Sequence, residues 1–253
     1  AIEDAMDIEV SEQSDKLRVL LLHGEQIESH VLHLGYLVAP DLLGEKSVVP
    51  LASSHTDLVK TIIRCHALGN KVMEVIGGRM THPVSLRPGG FGQLPTEEEL
   101  RDLKEEIQAR VPDFQAISDA ILDLAGELPD FERPTEYIAL TNAGYYTSYH
   151  GDIGSTDVDK TLPVQEFEEV ANEYVSPQST AKWTRWHRDS YAVGALARFN
   201  RNAELLLPLA KETAEAFGLR QGCTNPYMNN VAQLVELFQV VEHSLQIIDE
   251  LLE

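Results

Sequence analysis

The residues whose types and spacing could do chemistry gather between Glu25 and Gly44, in the stretch EQIESHVLHLGYLVAPDLLG. His30 and His33 lie three apart, on neighbouring positions of one helix face. Glu25 and Glu28 precede them, and Asp41 follows Pro40. Around these polar groups, Leu17, Leu20, Leu21, Ile27, Val31, Leu34, Leu37 and Val38 recur at helical spacing and make a broad apolar stripe. Ionisable groups on such a stripe can line the wall of a site, holding charge and hydrogen bonds around a reacting centre. They can equally be hydrogen-bonded core residues, with Asp41 in a turn; spacing alone fits both. Pro40 is expected to end or kink the helix just before the carboxylate.

Three other groupings could carry chemistry. Gly77–Phe91 (GGRMTHPVSLRPGGF) sets Arg79, His82 and Arg87 among glycines and prolines. It lacks the Gly-Lys-Ser/Thr ending of a phosphate loop, so alone it reads as an ordered turn or a weak anion site. Lys182, Arg185, His187 and Arg188, interleaved with Trp183 and Trp186, form the main basic cluster, suited to another subunit or to solvent. His150 and Asp152 are two groups in a loop, too few for a metal site. Cys65 and Cys223 show neither Cys-x-x-Cys nor zinc spacing and read as reduced structural thiols.

The elements that must position these groups are mostly helices. A first helix is expected over Gln13–Pro40, and a second from Ser54 to about Ile76, closed by Gly77-Gly78. Thr96–Glu99 is a capping box opening a helix that runs to about Gly126 with a break at Pro112. Tyr137–Leu140 has β character, Gly144–Thr161 reads as turns between short strands, and Val164–Tyr174 as a short acidic helix. Thr180–Val193 suggests a hairpin. Asn202–Gly218 reads as a helix interrupted near Pro208, and Asn225-Pro226 opens a last helix to Glu253. The helices around Val31 and Phe238 are expected to share one core. The fold class is therefore mainly α: a long-helix body, 1–253 as one domain, with a β-rich excursion at about 136–194.

The 253 residues are 43% hydrophobic, ample for a core, and carry a net charge of −21. That acidity argues against nucleic acid or an anionic membrane surface as partner and fits a cytoplasmic protein. No apolar run approaches the ~18–20 residues of a membrane span. Nucleophile elbow, Walker and dinucleotide motifs are absent from the sequence.

The stretch from His30 to Asp41 resembles the helix near the active site in the large subunit of nickel–iron hydrogenases. The family pattern is His-x-x-His followed by Leu-x-Ala-x-Asp, matched here by His30, His33, Leu37, Ala39 and Asp41. Gly77–Phe91, Ser179–Asn200 and Thr224–Leu251 extend the likeness over nearly the whole chain. The type it resembles is the cytoplasmic one that reduces a nicotinamide, a deazaflavin or a heterodisulfide-linked partner. The resemblance implies the middle part of such a subunit, with reversible cleavage of H₂ to protons and electrons as the family reaction. It implies a nickel–iron centre with CN and CO on iron, an iron–sulfur small subunit and a further electron-transfer subunit. It assigns Asp41 and His33 to the surroundings of the metals, and makes His30, His82 and Arg79 candidates for contact with that centre; none is a metal ligand. The family's Arg-x-Cys-Gly-x-Cys and Asp-Pro-Cys-x-x-Cys-x-x-His motifs are not in this sequence, so its four thiolate ligands are missing and the segment alone is expected to be inactive. The rival expectation is a non-catalytic scaffold, related to the quinone-side subunit of respiratory complex I, which has lost those ligands.

Overall fold

The computed structural model describes Ile2–Glu253. These residues form two compact units: one runs to Ala125 and takes back Leu237–Glu253, the other is Gly126–Glu236. The first unit starts with α1 (Ile2–Met6), α2 (Glu12–Leu32), a π-helical turn (His33–Val38), α3 (Ala39–Leu42), α4 (Val48–Ser54) and α5 (Thr56–Gly77). The two-residue strands β1 (Leu86–Arg87) and β2 (Gly90–Phe91) and the long α6 (Glu97–Asp123) follow.

Ser11 opens α2, its hydroxyl accepting from Ser14 N–H at 3.2 Å, with Glu12 and Asp15 in the first turn. α2 buries Leu17, Leu20, Ile27 and Val31, and the π turn Leu34, in the core that α5 lines with Ile62, Leu68, Val72 and Ile76. The two helices come close because glycines face each other. A Cβ on Gly69 would stand 2.4 Å from the backbone nitrogen of Glu28 and 2.7 Å from the carbonyl oxygen of Gly24. Only hydrogen fits there.

Thr96 and Glu99 make the expected capping box of α6, with Thr96 N–H donating to Glu99 at 2.8 Å and Glu99 N–H to Thr96 at 3.2 Å. The break expected at Pro112 does not occur. Pro112 sits on the solvent side, while Leu103, Ile107, Phe114, Ile117 and Ile121 hold the other face in the core. Arg64 of α5 also donates to both oxygens of the adjoining Asp113, at 2.7 and 3.0 Å. Ser54, expected to cap the second helix, instead closes α4, and α5 starts at Thr56.

In the second unit β3 (Glu136–Thr141) is central. It pairs antiparallel with β4 (Asp152–Ser155), Ile138 opposite Ser155. A ribbon of β5 (Asn172–Val175) and β6 (Lys182–Arg185) stands apart, with Tyr174 opposite Trp183. The short β7 (Tyr191–Ala192) runs parallel to β3. α7 (Ala195–Asn202), α8 (Pro208–Ala216) and α9 (Asn229–Leu252) follow. The acidic helix expected over Val164–Tyr174 is a 3-10 turn, Val164–Glu169, leading into β5. Of the helix expected over Asn202–Gly218, Pro208–Ala216 is α-helical, opened by Pro208; a separate helix, α7, precedes it from Ala195, where Asn229 accepts from the Leu196 N–H at 3.1 Å.

The later part of α9 belongs to the first unit. There Lys16 pairs with Glu250 at 3.0 Å, and Val31 and Phe238 are both buried in that unit's core, as the sequence predicts. The β-rich excursion lies inside the second unit, whose bounds are wider. Among the described residues no helix is long and apolar enough to cross a membrane.

Candidate functional site

The helix carrying the candidate residues does not stop at Pro40. The π turn His33–Val38 intervenes, and the Ala39 N–H reaches back five residues, to the carbonyl of Leu34. Widening the turn moves carbonyls away from the proline ring, which in a regular helix clashes with the carbonyl four residues back. The chain then continues as α3 and closes after Asp41. Glu45 N–H donates to Pro40 O at 2.8 Å and Gly44 N–H to Asp41 O at 3.2 Å, with Gly44 at φ 70°. This 6→1 and 5→2 pattern is a Schellman cap, so Asp41 sits in the last helical turn.

His30 is buried, His33 is half-buried as the first residue of the π turn, and Asp41 is exposed. Asp41 makes no ion pair among the described residues. Leu37, expected in the core, is 58% exposed. In an unbroken α-helix each residue turns about 100°, so Leu37 and Asp41 would both fall within about 20° of His30. A π turn that absorbs one residue carries them about 100° out of that phase, in keeping with their exposure.

A polar rim missed by the sequence reading lies between α2 and α5. Glu28 and His66 approach to 2.9 Å, and the Asn70 amide stands 3.3 Å from the other ring nitrogen of His66. Tyr36, from the π turn, meets the His66 ring edge-on at 5.8 Å. Burial pushes the Tyr36 hydroxyl above its ordinary pKa. Glu28 and His66 are 38 residues apart, so no local spacing announces the pair.

His82 and Arg79 lie elsewhere. Both are exposed on the loop after α5, and His82 adopts a left-handed φ of 53°. The base of that loop is tied near the start of α2. A Cβ on Gly77 would touch Leu21 at 3.1 Å, and Arg18 reaches the Arg87 carbonyl at 3.4 Å. Glu3 of α1 accepts from Arg18 at 2.6 Å and from Gly89 N–H at 2.7 Å. The Arg18 hydrogen bond first, then that of Gly89, holds the Glu3 carboxyl down at about 2. Leu21 and Asp41 are twenty residues apart along the helix, about 30 Å at about 1.5 Å per residue. The structure therefore groups His30, His33 and Asp41 on one rod and leaves His82 and Arg79 near its far end.

In the second unit the basic cluster is matched internally. Lys182 pairs with Glu173 at 2.8 Å, Arg185 lies 5.4 Å over the Tyr174 ring, and Arg188 pairs with Asp157 at 2.5 Å. His187 meets the fully buried Glu136 at 2.6 Å, and Ser155 donates to that carboxylate at 2.6 Å. Desolvation pushes Glu136 up, but the hydrogen bonds from His187, Ser155 and the Arg188 backbone together hold it below its ordinary pKa. A second buried carboxylate, Glu236, accepts from Arg198 at 2.5 and 2.8 Å and from Tyr146 at 2.6 Å. Such fully paired buried charges fix local geometry.

Among the described residues no group of three or more His, Cys, Asp or Glu side chains is arranged to hold a metal. The cysteines do not fit a thiolate-held centre. Cys65 is buried, and burial first, then the charge of Asp113, pushes its thiol up to about 12, against the deprotonation a ligand needs. Cys223 lies in the other unit, its thiol also raised by burial.

No protein-family model matches the chain. Its sequence is 30% identical over 255 residues to the sulfhydrogenase 1 alpha subunit of Pyrococcus furiosus, covering all of this chain and 59% of that one. It is 32% identical over 254 residues to the sulfhydrogenase 2 alpha subunit of the same organism, again covering all of this chain and 58% of that one. The chain thus spans under two thirds of the length of these relatives. Its fold matches the crystal structure of an NAD⁺-reducing nickel–iron hydrogenase in the H₂-reduced state with a TM-score of 0.84 at 21% identity, over 96% of this chain and 59% of that one. The resemblance read from His30, His33 and Asp41 is therefore upheld along the whole chain, which is similar in sequence to hydrogenase alpha subunits and carries the fold of the nickel–iron hydrogenase large subunit.

Proposed function

We propose that this chain supplies the helical body of a hydrogenase large subunit whose intact enzyme interconverts H₂ with protons and electrons. The observation that carries this reading is that all of this chain matches part of the hydrogenase alpha subunits, joined to the shared fold. In the intact enzyme a nickel–iron centre, with CN and CO on iron, is held by thiolates other than Cys65 and Cys223. Asp41 and His33 stand beside it and hold hydrogen bonds and charge. Asp41 suits that place: an exposed carboxylate on a capped helix end, with no cation of the described residues against it. The dipole of its own helix does not favour a negative charge there, so a cation from outside these residues is its natural complement. The remaining candidates for contact with that centre are His30, buried in the helix, and His82 and Arg79, exposed on the loop after α5. Electrons leave through an iron–sulfur small subunit and a further electron-transfer subunit, in the cytoplasm.

The chain purified alone is expected to hold no stoichiometric nickel or iron and to reduce no dye with H₂, because soft thiolate pairs are what such a centre requires. The intact protein isolated from its cells should carry about one nickel and one iron and take up H₂. An intact protein without metals and without H₂ uptake would sink this reading and favour the non-catalytic scaffold.

A further inference from the structure

The π turn is placed where it decides the direction of Asp41. Upstream, α2 is locked against α5 by the Gly24–Gly69 approach. Within the turn, Gly35 is a second lock: a Cβ there would stand 2.4 Å from Cγ2 of Ile62, so Ile62 nests directly on the backbone. Downstream, Pro40 cannot sit in a regular turn without clashing with the carbonyl four residues before it. The Leu34 carbonyl bonded to Ala39 N–H, five residues on, shows how the clash is relieved. One residue is taken up by the wider turn. Leu37 is the residue most easily spared, being 58% exposed between the buried Gly35 and Val38.

We propose that the π turn His33–Val38, held by Gly35 and Pro40, is the positioning element for Asp41: it absorbs one residue and so swings the carboxylate off the buried face that His30 occupies. The importance of that direction rests on the reading of Asp41 as the carboxylate beside the metals; the direction itself does not. A one-residue offset in a rod of this kind turns a side chain by about 100°, enough to exchange a solvent face for a core face.

Two variants of the chain test the aim, each with Asp41→Cys as a probe and Cys223→Ser to remove the more accessible thiol. Deleting Leu37 together with Pro40→Ala should convert the turn to ordinary α-helix and leave position 41 where it was. Its maleimide labelling should stay within about three-fold of the undeleted chain, with helix content and a cooperative melt retained. Gly35→Ala with Ile62→Ala and Pro40→Ala keeps every residue but removes the two features that hold the turn, the Gly35 seat and the proline. The turn should relax to α, carry position 41 toward the His30 face, and slow labelling at least about ten-fold. An unfolded deletion variant, or a folded one whose labelling changes ten-fold, overturns the proposal. So does an unchanged labelling rate in the folded triple variant.

The intact hydrogenase supplies a readout that stability does not move. Asp41→Asn should lower turnover by the same factor in the parent and in the Leu37-deleted, Pro40→Ala enzyme, metals being retained in both. Different factors overturn the aim. No effect of Asp41→Asn in either enzyme removes the assigned role of Asp41, while the labelling still decides its direction.

Discussion

His23 of α2 is buried against α9, and its Nδ1 stands 3.0 Å from the Ser244 hydroxyl. That hydroxyl donates its own hydrogen to the Val240 carbonyl at 2.5 Å, so the network assigns the proton to His23 Nδ1. The ring of His243 lies 5.0 Å away. Burial first, then the neighbouring His243, holds His23 well below its ordinary 6.5; burial also lowers His243, with Glu250 acting the other way. The unfolded chain takes up these protons near pH 6.5 and the folded chain does not. The stability these neutral rings allow is thus complete above about pH 6.5 and falls as the pH drops below it. Melting temperature should decline from about pH 7 to pH 5.5, with a smaller decline in His23→Asn; a flat profile would count against this. Glu136, a carboxylate held low, acts in a separate window: its contribution is present above its unfolded value of 4.5 and is lost only as pH falls through the lower folded one. The sequence drew attention to His30 and His33, whose spacing is visible. His23 meets a residue 221 positions away, and nothing local marks it.

At the scale of elements, the α2–α5 contact rests on hydrogen atoms where other residues carry methyl groups. Gly69→Ala should destabilise the chain by about 1–3 kcal/mol or more, because the added carbon meets backbone rather than a movable side chain. Gly126→Ala, whose added carbon would meet nothing within 4 Å, is the matched control and should be near neutral. Denaturant melts of the two variants decide this; equal midpoints would show that the helices can part without cost. Periodicity located α2, α5, α6 and α9, and the capping box of α6 was legible to the residue. The π turn was not, since its larger repeat looks like a slip in a 3.6-residue pattern. From spacing, Leu37 therefore falls in the core stripe and Pro40 marks an end or kink of the helix. Pro112 failed as a breaker for a related reason: a long buried face outweighs one missing hydrogen bond.

At the scale of the molecule, the mainly helical class and the β excursion were legible from composition and turn residues. The division into two units was not, because one boundary falls inside the continuous α9, between Glu236 and Leu237. The basic cluster around Arg185 looked like a surface for another molecule. Its cations also meet Glu173, Tyr174, Asp157 and Glu136 of the same unit, which sequence spacing could not reveal.

The return of Leu237–Glu253 to the first unit has a consequence for the order of synthesis. Residues up to Ala125 leave the ribosome first, yet Ser244 and Phe238, which complete their core, come more than about a hundred residues later. At about 5–20 residues per second, the early helices wait many seconds with the seat of α9 uncovered. Ribosome-bound chains arrested at Glu236 should therefore expose α2 and α5 to protease, and chains in which Glu253 has cleared the ribosome should protect them. Equal protection in the arrested chains would mean that the first helices close their core without the last one.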